Sequence, residues 1–129
     1  MSEYALIIDD NVSNLDALSL LLKKEGLTPV TVQTIKDLWS VLDESTDYAV
    51  IFLDLEFPNH SGFDVVGKLN ADLRVKGTPI VAYSVHTSEL NEARAAGFHG
   101  FVGKPLSVDK FPGQLQRILA GQAVWDVGV

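Results

Sequence analysis

The chain has no cysteine among its 129 residues, so neither disulfides nor a thiolate metal site can contribute to it. No apolar run approaches the ~20 residues that a membrane-spanning helix needs. The opening Met1-Ser2-Glu3-Tyr4 lacks the basic start of a signal peptide. Basic residues are scarce too. Ten of them against 17 acidic ones leave a net charge of −7, which disfavours binding to nucleic-acid phosphates through the bulk surface. The three histidines, His60, His86 and His99, are too scattered to pair as metal ligands on one helix, and are expected as solvated loop residues. No internal repeat, low-complexity tract or interdomain linker is visible. These absences point to a soluble cytoplasmic protein with no nucleic-acid partner and no membrane insertion. The apolar fraction of 47% argues against disorder. The length suits one domain over residues 1–129, with a core at 4–120 and a short tail at 121–129, burying roughly two thirds of its unfolded surface.

What the chain does have is organised around Tyr48-Ala49-Val50-Ile51-Phe52-Leu53-Asp54. Six largely apolar residues run into a carboxylate, and a turn through Leu55-Glu56-Phe57-Pro58 follows. A run without polar alternation has both faces buried, as in a central parallel strand, although a stretch of buried helix reads the same way. Its length and its Val, Ile, Phe and Tyr content favour the strand. In an open α/β sheet, ligands bind beyond the carboxyl ends of the strands, which is where Asp54 falls.

Tyr4-Ala5-Leu6-Ile7-Ile8 ends likewise at Asp9-Asp10. Asp10 or Asn11 can cap the helix that follows, which carries Leu15, Leu18 and Leu22 on one face and stops at Gly26. Residues 28–34 alternate, as a strand nearer the sheet edge does. Thr34 and Asp37 resemble a capping pair before a helix containing Leu38, Val41 and Leu42. Asn59-His60-Ser61-Gly62 reads as a loop into a helix through Val66, Leu69 and Leu73. After the Lys76-Gly77-Thr78-Pro79 turn come a strand at 79–84, a thin alanine-faced helix at 88–96 and a short strand at 99–102. That thin helix is expected to be the mobile element. The last helix places Val108, Phe111, Leu115, Ile118 and Leu119 on one stripe. Pro112 predicts an irregular start or a later boundary there. Val124 and Trp125 are available to pack back on the domain. Five strands alternating with five helices indicate a parallel sheet covered on both faces.

Four of the five strands end in a functional group: Asp9-Asp10, Asp54, Ser84 and Lys104. In a doubly wound sheet these ends converge on one crevice. Three carboxylates about 5 Å apart repel by roughly 3 kcal/mol per pair at an effective dielectric near 20, so the cluster needs a cation. An all-oxygen site suits Mg²⁺. Acids, a divalent ion, a lysine and a hydroxyl together serve phosphoryl transfer. Taken singly each has a plainer reading: Asp9 and Asp10 cap one helix, Ser84 caps another, and Lys104 is a solvated surface residue. Four together at successive strand ends favour the site.

I-I-D-D-N, F-L-D-x-x-x-P-x-x-x-G, a strand ending in serine, and G-K-P resemble the receiver domain of two-component response regulators, of the stand-alone, chemotaxis-regulator-like type, over residues 4–120. The resemblance implies a doubly wound (βα)5 flavodoxin-like sandwich with a five-stranded parallel sheet in the order 2-1-3-4-5. It implies Asp54 as phosphoacceptor, with Mg²⁺ held by Asp10, by Asp54, by Asp9 mainly through water, and by the backbone carbonyl of Glu56. Lys104 and the Ser84 hydroxyl would contact the phosphoryl group, Phe101 would be the aromatic switch partner of Ser84, and Lys104-Pro105 would be a cis peptide. The donor would be a sensor histidine kinase or a histidine phosphotransfer protein, and the output a downstream protein target. The protein would be a monomer or weak dimer, and no enzyme beyond its own phosphorylation and dephosphorylation. The chain departs from the family in Glu56, a carboxylate at the mouth of the site, in Val85 where a small residue is usual, and in Ser84 where threonine is commoner.

Two other readings share these residue types. A Mg²⁺-dependent phosphohydrolase with an aspartate nucleophile, of the haloacid dehalogenase type, has its nucleophile on the first motif strand and its acids last, the reverse of this order. It also has a cap insertion. A flavodoxin-like electron carrier would cradle an anionic phosphate in the first loop, where Asp9 and Asp10 repel one.

Overall fold

The computed structural model describes residues 3–44, 47–57 and 60–126. Pro58 and Asn59, at the expected loop after Asp54, lie outside the described residues, as do Met1, Ser2 and the tail beyond Asp126.

Six strands form one parallel sheet: β1 (Tyr4–Ile8), β2 (Thr28–Val32), β3 (Val50–Asp54), β4 (Ile80–Ser84), β5 (Gly100–Gly103) and β6 (Trp125–Asp126). Their order is 2-1-3-4-5-6. The expected 2-1-3-4-5 arrangement is present, and the tail adds β6 at its edge. Five helices cover the sheet: α1 (Val12–Lys24), α2 (Ile35–Glu44), α3 (Gly62–Ala71), α4 (Leu90–Ala96) and α5 (Phe111–Leu119).

The strand pleat sorts the core into two layers. Leu6, Ile8, Ile51, Leu53, Ala82 and Phe101 face one way, towards Leu38 and Leu42 of α2, Val65, Val66 and Leu69 of α3, and Ala93 of α4. Ala5, Ile7, Phe52, Val81, Tyr83 and Val102 face the other way, towards Leu15, Leu18 and Leu22 of α1 and Phe111, Leu115 and Ile118 of α5. β1, β3 and β4 therefore meet apolar side chains on both faces, which is why their sequences show no polar alternation. The Phe52 ring anchors the second layer, edge-on to Tyr83 at 6.3 Å and 6.1 Å from Phe111 between centroids.

Local signals set the helix ends. Asn11 caps α1, its side chain accepting from the Asn14 N–H at 3.0 Å. Thr34 accepts from the Asp37 N–H at 3.0 Å ahead of α2. Ser61 accepts from the Phe63 N–H at 3.2 Å ahead of α3. Gly62 fits because a Cβ there would lie 2.8 Å from Leu55 Cα and 2.9 Å from the Asp54 carbonyl oxygen. This glycine lets α3 start directly against the end of β3.

Several expectations need correction. Leu73 leaves the α3 stripe: a 3₁₀ turn at Leu73–Val75 follows α3 and turns it outward, 82% exposed. Val108 is exposed because α5 begins only at Phe111 with Pro112 in its first turn, and Leu119, the last residue of α5, is exposed at its far end. The α5 stripe is therefore Phe111, Leu115 and Ile118, with a buried Gln114 beside them. Glu56–Phe57 and His60–Ser61 pair antiparallel as a small ribbon in place of the expected open loop. α4 starts at Leu90 after a 3₁₀ turn at Thr87–Glu89, and only its Ala93 is fully buried, the thin packing that its alanines predict. Among the described residues no helix is long and apolar enough to cross a membrane.

Candidate functional site

The carboxyl ends of β1, β3, β4 and β5 bring Asp9, Asp10, Asp54, Ser84 and Lys104 together along one edge of the sheet. Asp9 follows β1 and is fully buried, Asp10 beside it is exposed, and Asp54 closes β3 at 6% exposure. One carboxylate oxygen from each of the three lies within 4.8 Å of the others. The Lys104 ammonium enters between them, donating to Asp9 Oδ2 and to Asp54 Oδ1 at 3.1 Å each. The Lys104–Pro105 peptide is cis. Above the cluster is an open cleft of about 430 Å³, walled also by Asn14, Glu56 and Val85.

Burial and pairing pull the two inner acids apart in proton affinity. Burial pushes Asp9 up, but the Tyr83 hydroxyl, the Asn11 N–H and the Lys104 ammonium outweigh it and hold the carboxyl below the usual range. For Asp54 burial wins. The Lys104 charge pulls it down and the Asp9 charge pushes it up, and the carboxyl sits at about 6. Asp9 is thus the more strongly held anion of the two, and Asp54 the one whose charge is least stabilised. Three oxygen donors this close, with no nitrogen or sulfur among them, fit a small hard dication such as Mg²⁺.

Tyr83 belongs to this site, although its place on β4 marked it only as core. Its hydroxyl donates to Asp9 Oδ2 at 2.6 Å, and its ring lies beneath the Lys104 ammonium, 4.2 Å from centroid to Nζ. Burial first, and then the Asp9 charge, push the phenol far above its ordinary pKa, so it stays a donor. The signal was available in the pleat. Tyr83 and Asp9 fall on the same face of the sheet, at the ends of β4 and β1 with only β3 between them, and a buried phenol needs a polar partner. Tyr83→Phe is expected to lower stability by about 1.5–3 kcal/mol at neutral pH, the range for a hydrogen bond to a charged group. Urea unfolding measures it, and a variant equal to the parent would show that this bond contributes nothing net.

Ser84 is 1% exposed and its hydroxyl is engaged. Its oxygen accepts from the His86 N–H at 2.9 Å and it donates to Glu89 Oε1 at 3.3 Å, bracing the turn before α4. Phe101, the expected switch partner of Ser84, is fully buried here. Glu56 does stand at the mouth of the cleft, but it is not a free carboxylate. Its Oε1 lies 2.7 Å from His86 Nε2, joining the loops after β3 and β4 across the opening. His86 and His99 are the exposed loop residues expected, and both have partners. His99 Nδ1 accepts from the Ile80 N–H at 3.0 Å. Val85 is 59% exposed on the rim, and its isopropyl group narrows the cleft.

Known proteins share this arrangement. Residues 5–116 match the family described as response regulator receiver domain. The chain is 26% identical over 117 residues to chemotaxis protein CheY1 of Helicobacter pylori, covering 88% of this chain and 94% of that one. It is 32% identical over 114 residues to transcriptional regulatory protein KdpE of Mycobacterium tuberculosis, covering 86% of this chain and 48% of KdpE. It spans only 19% of the sensor histidine kinase AtsR of Burkholderia thailandensis, at 29% identity over 89% of its own length. Its fold superposes on chemotaxis response regulator CheY4 of Vibrio cholerae with a TM-score of 0.81 and 25% identity, over 92% of this chain and 99% of that one.

Proposed function

Because the chain belongs to the response regulator receiver domain family, we propose that it is a phosphorylation-dependent signalling switch that accepts a phosphoryl group on Asp54. Receiver domains are signalling switches that bind Mg²⁺ at an acidic site and work with histidine kinases. The observation that carries the reading for this chain is the Lys104 ammonium, 3.1 Å from both Asp9 and Asp54 at the floor of an open acidic cleft. The order of the acids, with the pair on β1 and the single acid on β3, speaks against the phosphohydrolase alternative.

In this reading an Asp54 carboxylate oxygen attacks phosphorus, and the bond from phosphorus to the donor's histidine nitrogen or acyl oxygen breaks, with its electrons leaving on the donor. Asp9, Asp10, Asp54 and the Glu56 backbone carbonyl would hold Mg²⁺, which when bound neutralises charge on the transferring group. The hydrogen bonds from Tyr83, Asn11 and Lys104 occupy much of Asp9, which suits a contact through water. Lys104 leaves Asp54 for a phosphoryl oxygen. Ser84 does the same only by releasing Glu89, which loosens the turn and the thinly anchored α4. Phe101, one strand over, is the aromatic that must repack with it. The output is then a changed surface around α4, β5 and α5.

The whole of residues 1–129 is read as one receiver domain with its core at 4–120. The donor would be a sensor histidine kinase or histidine phosphotransfer protein, the target another protein, the compartment the cytoplasm and the state monomer or weak dimer. Catalysis extends only to the chain's own phosphorylation and dephosphorylation.

Incubation with Mg²⁺ and a small acyl phosphate should add one hydroxylamine-labile phosphoryl group to the intact mass, and a chelator should prevent it. Steady release of phosphate from generic phosphate esters, without a labelled protein, would favour the phosphohydrolase instead.

A further inference from the structure

Lys104 has a fixed backbone and a mobile stem. Its N–H donates to the Ser84 carbonyl at 2.8 Å, which ties the end of β5 to the end of β4. Its side chain is a flexible four-carbon chain that stays only where its ammonium is held. Among the described residues three partners hold that ammonium: Asp9 Oδ2 and Asp54 Oδ1 at 3.1 Å each, and the ring of Tyr83, its centroid 4.2 Å away. Lys104 also borders a mostly apolar cavity of about 290 Å³, walled by Leu18, Leu21 and Leu106, which has no carboxylate to offer it.

Two of these partners are shared with the ion. Asp9 and Asp54 are carboxylates of the candidate Mg²⁺ site, with Asp10 beside them. A dication held there neutralises the charge that attracts the lysine, so both ion pairs weaken together. The ring is different. Its pull on a cation comes from the quadrupole of its π face, which an ion among the carboxylates does not use up. The ring is also immobile. Tyr83 is fully buried, Phe52 packs edge-on to it, and its hydroxyl is tied to Asp9 Oδ2 at 2.6 Å. Strand register sets it directly beside Asp54 on β3 and beside Val102 on β5, two residues before the lysine.

We propose that Tyr83 is a positioning residue for phosphoryl uptake: its ring keeps the Lys104 ammonium at the floor of the cleft once the carboxylates are engaged by Mg²⁺. The lysine is then in place for a phosphoryl oxygen when Asp54 attacks, with no search through stem rotamers left to make. The hydroxyl serves the ring by fixing where its face points, and the ring holds the lysine. The effect on rate rests on the reading of Asp54 as phosphoacceptor, whereas the position of the lysine does not.

The first readout is the reaction of Lys104 with an amine-acylating reagent, mapped by peptide mass on the full-length protein in chelator and in saturating Mg²⁺. The parent should be protected in both. Tyr83→Leu should be protected in chelator, where the carboxylates still hold the ammonium. In Mg²⁺ its Lys104 should react about tenfold faster than the parent's, the scale of a partly desolvated cation–π contact. Tyr83→Phe keeps the ring, so its lysine should stay protected in both conditions despite the lower stability, which separates positioning from stability. Pentafluorophenylalanine at position 83 keeps the ring's shape but reverses the charge of its face. It should behave as leucine does, and it serves should Tyr83→Leu not fold. The second readout is uptake from a small acyl phosphate in Mg²⁺, about tenfold slower with leucine than with phenylalanine at this position. Lys104 that stays protected in Mg²⁺ in the folded leucine or pentafluorophenylalanine variant would overturn the proposal. So would a Tyr83→Phe lysine as reactive as the leucine variant's, or a parent lysine that Mg²⁺ exposes. Should no protein take up a phosphoryl group, the parent included, the phosphoacceptor reading fails while the lysine readout still decides this inference.

Discussion

Lys104→Met is expected to lose roughly 3 kcal/mol of stability at pH 8 in chelator, and to regain most of it on adding Mg²⁺ or on lowering the pH to 5. The methionine keeps the stem that packs over Tyr83 but removes the ammonium lying 3.1 Å from both Asp9 and Asp54. Removing one partner of a buried ion pair costs about 3–5 kcal/mol, because the other charge is left uncompensated. The cost falls at the lower end because Asp54, already at about 6, takes up a proton in preference to carrying an unpaired charge. The pH dependence follows in sign. A carboxyl whose folded pKa lies above its unfolded value of 3.8 binds more protons in the native state, so stability falls as pH rises through that interval. Without Lys104 the interval extends upward, which makes the loss largest at pH 8. Urea unfolding at both pH values, with and without Mg²⁺, reads all of this. A variant as stable as the parent at pH 8 would show that Lys104 does not neutralise the cluster. Loss that Mg²⁺ fails to restore would place the ion elsewhere.

The same residues show where sequence reasoning reaches and where it stops. Continuous apolar runs are a property of single strands, so β1, β3 and β4 and the acids ending β1 and β3 could be read directly. So could Lys104, because it follows a short apolar strand and precedes a proline. What could not be read depends on neighbours across the sheet. Tyr83 looks like any core aromatic until β4 is placed two strands from β1, across β3, and Asp9 comes within 2.6 Å of its hydroxyl. Ser84 looks like a free hydroxyl until the turn before α4 brings Glu89 to it. Glu56 looks like a bare charge until His86 closes on it from the next loop. β6 is only two residues long and has no pattern of its own. Its pairing is fixed by Gly100, Arg94 and Gln114, which lie on three other elements. Val108, Leu73 and Leu119 mislead in the opposite way, since helical spacing suggests burial while the actual helix boundaries leave them in water.

Asp54→Asn should abolish the hydroxylamine-labile phosphoryl group and also yield a more stable protein, by about 2 kcal/mol at pH 8 without Mg²⁺. An amide has no anionic oxygen with which to attack phosphorus, so uptake should vanish rather than slow. The gain in stability comes from the burial that raises the Asp54 carboxyl from 3.8 to about 6. At roughly 1.4 kcal/mol per pH unit, ionising that group in the folded protein costs about 3 kcal/mol. Asparagine is nearly the same shape and its carbonyl can still accept from Lys104, but that bond is weaker than one to a carboxylate, which takes back part of the gain. The group is raised, so its cost is absent below pH 4 and fully present above pH 6. The variant's advantage should therefore disappear on acidification to about pH 4. Mg²⁺ should reverse the order at pH 8. An ion that binds only the folded parent adds about 2.7 kcal/mol at a hundredfold excess over its Kd, and the variant, lacking one anionic ligand, should gain much less. Phosphoryl uptake by Asp54→Asn equal to the parent's would move the acceptor to another residue. An Asp54→Asn protein less stable than the parent in chelator at pH 8 would show that Lys104 offsets the burial of Asp54 in full.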